Sequence, residues 1–151
     1  MKHLFKFEKG QSLFEVVVAV SISALIITAI VAVVSNSIQG SSYSRDKTLA
    51  ANYIQQTMEW LKQERSIDAD NLESKILAVT ETTGLSYCLT TNSSWPDPTT
   101  SCHDVITDTK FTRILEFNSY QNSIAHLRVT VSWQDSKGMH EVSSSTDLVV
   151  K

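Results

Sequence analysis

An α+β fold, with a long amino-terminal membrane-spanning helix whose outer half packs on a small antiparallel β-sheet, is predicted by three features of this 151-residue chain. Val16 to Val34 is a run of nineteen residues without a charge. Arg45 to Arg65 repeats apolar residues at helical spacing, and beyond Gly84 the spacing changes to alternation. A helix and a sheet that are each apolar on one face need a cover, and layering one on the other supplies it.

The apolar run is close to the ~20 residues that cross a bilayer as a helix. A secretory signal peptide has a shorter apolar core, about 7 to 15 residues, followed by a small-residue cleavage site. Val33 and Ser35 satisfy that cleavage pattern, so a secreted domain released after Ser35 is a competing expectation. Ahead of the run, Lys2, Lys6 and Lys9 stand against Glu8. A basic flank before an apolar span places the amino terminus in the cytoplasm and the remainder outside. Glu15 is the acid at the mouth of the run. A carboxylate costs roughly 2.5 to 3.5 kcal/mol at the centre of a membrane helix and less near an interface. Something should compensate it.

Helical character is expected to continue through Ser35 to Ser44 into Arg45 to Arg65, a rod of roughly 80 Å at ~1.5 Å per residue. Gly40, a poor helix former, marks an expected bend or local melting point. Ala50, Ile54, Met58 and Leu61 lie on one helix face, widened by Leu49, Tyr53 and Trp60. Asp46, Lys47, Gln55, Gln56, Glu59 and Lys62 fall mostly on the remainder. A second helix is expected over Asp70 to Val79, using Leu72, Ile76 and Leu77, with Asp68 or Asp70 as its cap. Then Leu85, Tyr87 and Leu89 alternate, as do Phe111, Arg113, Leu115 and Phe117, and Leu127, Val129, Val131 and Trp133. Period-two spacing with β-branched and aromatic residues predicts strands. Gln134 to Gly138 is a turn signal, and Val142, Leu148 and Val150 return as the second arm of a hairpin. The expected organisation is a leader over 1–10, a membrane helix over 11–39, the outer half of the helix over 40–66 and one α+β head over 67–151.

Composition excludes several functions. Without the leader the chain has ten basic and fifteen acidic side chains, a formal charge of minus five. Lys47, Lys62, Arg65, Lys110, Arg113 and Arg128 are scattered, whereas nucleic-acid binding wants a basic stripe, so no direct nucleic-acid contact is expected. Cys88 and Cys102 flank a segment rich in Ser, Thr, Asn and Pro with little capacity to order itself by burial. In an oxidising compartment a disulfide is the economical reading, and free thiols are the alternative. His3, His103, His126 and His140 lack the spacing of a zinc site with the cysteines. Asp97, Asp104 and Asp108 do not match a calcium loop. No metal or cofactor is expected. No nucleophile elbow, phosphate loop or zinc-protease pair is present, so an enzyme is not expected.

Lys9, Gly10, Ser12, Leu13 and Glu15, leading directly into the apolar run, resemble the class III signal of type IV prepilins and pseudopilins. The resemblance implies a pilin-like fold and leader recognition through Lys9, Gly10 and Leu13. It further implies that a prepilin peptidase cuts between Gly10 and Gln11 and methylates Gln11 at its new amino terminus. Glu15 would then meet the positive amino terminus of an adjacent subunit and set axial register. Opposite charges ~4 Å apart attract by about 4 kcal/mol at an effective dielectric near 20, before desolvation is subtracted. The family more often has Phe where Gln11 stands and an aliphatic residue where Phe14 stands. Lys47-Thr48-Leu49-Ala50-Ala51-Asn52 and Met58-Glu59-Trp60-Leu61 look like the second half of the long helix in minor pilins of the pilus-modification type and the similar type II secretion pseudopilin. Implied partners are other pilin or pseudopilin subunits, the peptidase, membrane lipid and, indirectly, an inner-membrane platform protein and an assembly ATPase. The implied location is the inner membrane and then a filament or pseudopilus. The rival expectation is a single-span anchor carrying an extracytoplasmic binding or sensor module, in which Glu15 is a plain interfacial residue.

Overall fold

No proline and a single glycine, Gly40, stand between Gln11 and Ile67. In the computed structural model, which describes residues 11–80, 85–91 and 94–150, that stretch is one α-helix, α1 (Gln11–Ile67). Gly40 was expected to bend or melt it, but helical structure runs through this residue. One glycine costs about 1 kcal/mol relative to alanine, too little to break a ladder whose flanking turns are formed. The chain divides into two compact units, Met1–Ser44 and Arg45–Lys151. The second contains the head.

Helix α2 (Ala69–Thr80) begins at Asp68, whose Oδ1 accepts the Asn71 N–H at 3.0 Å. This is an N-cap, which satisfies one of the amides left without a helical partner. Leu72, Ile76 and Val79 form its buried face, while Leu77, expected in that face, is 37% exposed. Positions 72, 76 and 79 share one helical stripe, and 77 lies off it, beyond a quarter turn from its centre.

The sheet has five strands in the order β2-β1-β3-β4-β5, every neighbour antiparallel. They are β1 (Ser86–Cys88), β2 (Pro98–Thr99), β3 (Phe111–Gln121), β4 (Ile124–Asp135) and β5 (Gly138–Val149). Asn122 and Ser123 link β3 to β4 with φ of 52° and 62°, the left-handed pair of a two-residue hairpin turn that matches strand twist. The β4–β5 turn is closed by the Lys137 N–H donating to Asp135 Oδ1 at 2.7 Å. Gly138 follows at φ 128°, a conformation that L side chains rarely adopt.

Alternation puts Phe111, Leu115 and Phe117 of β3 and Ala125, Leu127, Val129, Val131 and Trp133 of β4 on one buried face. A bulge between Phe117 and Ser119 shifts the register, so that Tyr120 rather than Ser119 stands opposite Ala125. An extra residue in one strand reverses its side-chain parity, which brings the Tyr120 hydroxyl to Glu73 Oε1 at 2.6 Å. Ala50, Ile54, Trp60 and Leu61 of α1 and the buried face of α2 join these residues in one core.

Two charged residues are buried: Asp46, expected off the apolar helix face, and Arg113, which the alternation of β3 sets in line with Phe111 and Leu115. Asp46 is 4% exposed and accepts from Lys110 Nζ at 2.6 Å. Its helix face turns polar-in because a cation on the loop before β3 reaches it. Arg113, 1% exposed between Phe111 and Leu115, donates from Nε to Leu89 O at 3.2 Å. Burial lowers its pKa from the ordinary guanidinium value, and Tyr53 opposes that shift. Tyr87, fully buried, donates its hydroxyl to Lys75 O at 2.7 Å, and burial raises its pKa.

Tyr87→Phe leaves the Lys75 carbonyl without this donor and should lower unfolding free energy by about 1 to 2 kcal/mol in urea titrations of the full chain in detergent. At the β4–β5 turn, the Lys137 N–H chiefly holds the Asp135 carboxyl below its usual range, with His140 and the Gly138 N–H assisting against desolvation. A carboxyl with a lowered folded pKa stabilises above its unfolded value and ceases to do so as pH falls through the folded one. The melting-temperature gap between the wild type and Asp135→Asn should therefore be full at about pH 6 and close on acidification towards about pH 2.

Candidate functional site

Between Leu13 and Ile38, fifteen large apolar side chains of α1 are exposed, from Leu13 at 72% and Phe14 at 71% to Val18 at 38%. Burying one such side chain contributes roughly 1.5 to 3 kcal/mol. No part of the chain's own described structure covers them: the most apolar window of this helix is 0% buried. Among the described residues it is the one helix long and apolar enough to cross a membrane.

Three hydroxyls between Val16 and Val34 are fitted to an apolar surrounding. Ser21 Oγ donates to Val17 O and Ser23 Oγ to Ala19 O, both at 2.8 Å, and Thr28 Oγ1 donates to Leu25 O at 2.9 Å. Each hydroxyl is satisfied by the carbonyl of the preceding turn, the arrangement that removes the need for water. Glu15 is different. It lines a shallow groove with Phe14, Val18, Ala19 and Ile22, and no ion pair or hydrogen bond engages its carboxylate among the described residues. Three hydroxyls find partners within the helix, and the acid finds none among the described residues.

Of the other residues singled out in the sequence, Lys9 and Gly10 lie outside the described residues. Gln11 is the first residue of α1, and its side chain also lies outside the description. Leu13 is exposed on the helix surface. Cys88 and Cys102 are joined in a disulfide, with their Cα atoms 5.4 Å apart. The bond ties the end of β1 to the chain just beyond β2.

The segment between the two cysteines is more ordered than its composition predicted. Trp95 packs against Trp60 of α1, ring centroids 4.7 Å apart, and against Tyr87 of β1 at 5.0 Å. Its Nε1 donates to Glu64 Oε2 at 2.9 Å. Pro98 and Thr99 pair with Tyr87 and Ser86. The signal for this was one aromatic residue within a hydrophilic stretch. Replacing both cysteines by alanine frees a loop of about 15 residues in the unfolded state and should reduce unfolding free energy by about 2 to 4 kcal/mol in urea titrations.

No protein-family model matches this sequence, and comparison with curated proteins and with solved structures gives no match.

Proposed function

We propose that the chain is a minor pilin or pseudopilin subunit, cut after Gly10 and assembled into a type IV pilus-like or type II secretion filament. The observation that carries this reading is Glu15. It is a carboxylate five residues beyond Gly10, without a partner among the described residues, and the helix turns that follow it are apolar. Cleavage between Gly10 and Gln11 would create a positive amino terminus within one and a half turns of Glu15 in sequence. The like terminus of an adjacent subunit then supplies the missing counter-charge for Glu15, while subunit helices and lipid cover the exposed apolar surface.

In this reading the head is extracytoplasmic, as the lysines before the span favour, and the protein acts by assembly rather than by catalysis. The uncovered helix and the antiparallel head support it but are shared with a single-span anchor bearing a binding or sensor module. Glu15 distinguishes the two, because an anchor has no use for a register-setting acid.

Amino-terminal sequencing and intact mass of the membrane-associated protein from its native host should give a start at Gln11. An intact Met1 would favour the plain anchor, and a start near Asn36 would favour secretion. Substitution of Gly10 should block processing. Glu15→Ala should be processed normally yet enter filaments poorly, and normal incorporation of that variant would remove the register role.

A further inference from the structure

The two edges of the head sheet are built differently. One is β2, two residues long and beginning with Pro98, which has no N–H to offer. The other is β5, twelve residues from Gly138 to Val149 with no proline and no lysine. Proteins commonly blunt long edges with short strands, proline or lysine because open N–H and C=O groups recruit other strands. Here one edge is blunted and the other is left open.

The hydrogen-bond phase of β5 identifies which groups are open. Val150 N donates to Ser123 O at 2.8 Å, in continuation of the register that sets Val149 opposite Ile124. In an antiparallel pair the N–H and C=O of one residue point to the same side, and this side alternates along the strand. The backbone groups of Met139, Glu141, Ser143, Ser145, Asp147 and Val149 therefore point away from β4. Arg65 Nη1 donates to Val149 O at 3.1 Å and closes one end of this row. The backbone groups of the other five have no partner among the described residues.

The same residues carry the solvent face, which decides the kind of strand that fits. Two copies of β5 paired about a two-fold axis keep like faces together. Their fullest overlap sets Met139 against Val149, Ser143 against Ser145 and Glu141 against Asp147. Like charges directly opposite are destabilising, and two-fold symmetry repeats the clash. Glu141 is exposed and engages no side chain among the described residues, and Asp147, though in contact with His126, remains 63% exposed.

We propose that β5 is a docking edge for an extended segment of a different polypeptide, added as a sixth strand, with cationic side chains six residues apart facing Glu141 and Asp147. Main-chain hydrogen bonds give such an addition its affinity, and alternate side chains give its specificity. The surface belongs to the head and does not depend on the reading of the membrane helix.

The test uses the full chain in detergent and a synthetic alternating Thr-Val peptide of strand length with Lys at two positions six apart. A control peptide has Glu at both positions. The Lys peptide should slow amide exchange at Glu141, Ser143 and Ser145 and bind about tenfold more tightly than the Glu peptide. The double variant Glu141→Lys/Asp147→Lys should reverse that order. Ser143→Pro, which deletes an outward donor and no bond to β4, should abolish protection while Val129 and Val131 amides stay protected. If that variant fails to fold, the charge reversal carries the test. Equal affinity for the two peptides, or unchanged exchange along β5 with the Lys peptide, would overturn the proposal. Protection of β5 that rises with protein concentration in the absence of peptide would also overturn it, by making a second copy the occupant.

Discussion

Apolar surface withdrawn from water is the dominant favourable contribution to folding, and α1 meets that requirement in two ways along its length. From Arg45 onward its apolar stripe is covered within the chain: Ala50, Ile54 and Leu61 share a core with β3 and β4. Between Val16 and Val34 the surface carries no charge and is largely apolar, and the described residues offer it no cover. The first stretch folds a domain, and the second demands a different solvent or neighbouring helices. A single helix thus joins a water-adapted body to a segment that water disfavours.

Much of this was legible because periodicity reports burial directly. The stripe at Ala50, Ile54 and Leu61 and the alternation from Phe111 to Phe117 and from Leu127 to Trp133 correctly anticipated the layers. The bulge after Phe117 was not legible, since an extra residue changes side-chain parity without changing composition. Nor was β2, a two-residue pairing whose flanking segment is held against β1 by Trp95 and the Cys88–Cys102 disulfide. At the candidate site, the contrast of a lone acid beside a long apolar run singled out Glu15, and the structure adds that it and Leu13 are exposed on α1. Lys9 and Gly10 lie outside the described residues.

The charged residues mark where sequence reasoning runs out. Asp46 and Arg113 have the composition of surface residues and the burial of core residues. Their placement depends on partners remote in sequence, Lys110 for the first and the Leu89 carbonyl for the second. Burying a charge without compensation is costly, so both interactions act as checks on how the layers dock. A shifted helix would strand Asp46, and a shifted β1 would strand Arg113.

The order of elements along the chain has a consequence for synthesis. Strands β3, β4 and β5 form a meander of sequence neighbours, the kind of local topology that closes quickly. It is made last. The amphipathic turns from Arg45 to Thr80 leave the ribosome well before the strands that cover them, and their apolar stripe is bare in that interval. Exposed stripes of this kind attract aggregation and chaperones. The nascent chain therefore carries two adhesive segments at once, one long and apolar enough to cross a membrane and one that its own sheet will cover, and they must stay apart until the carboxyl-terminal strands arrive.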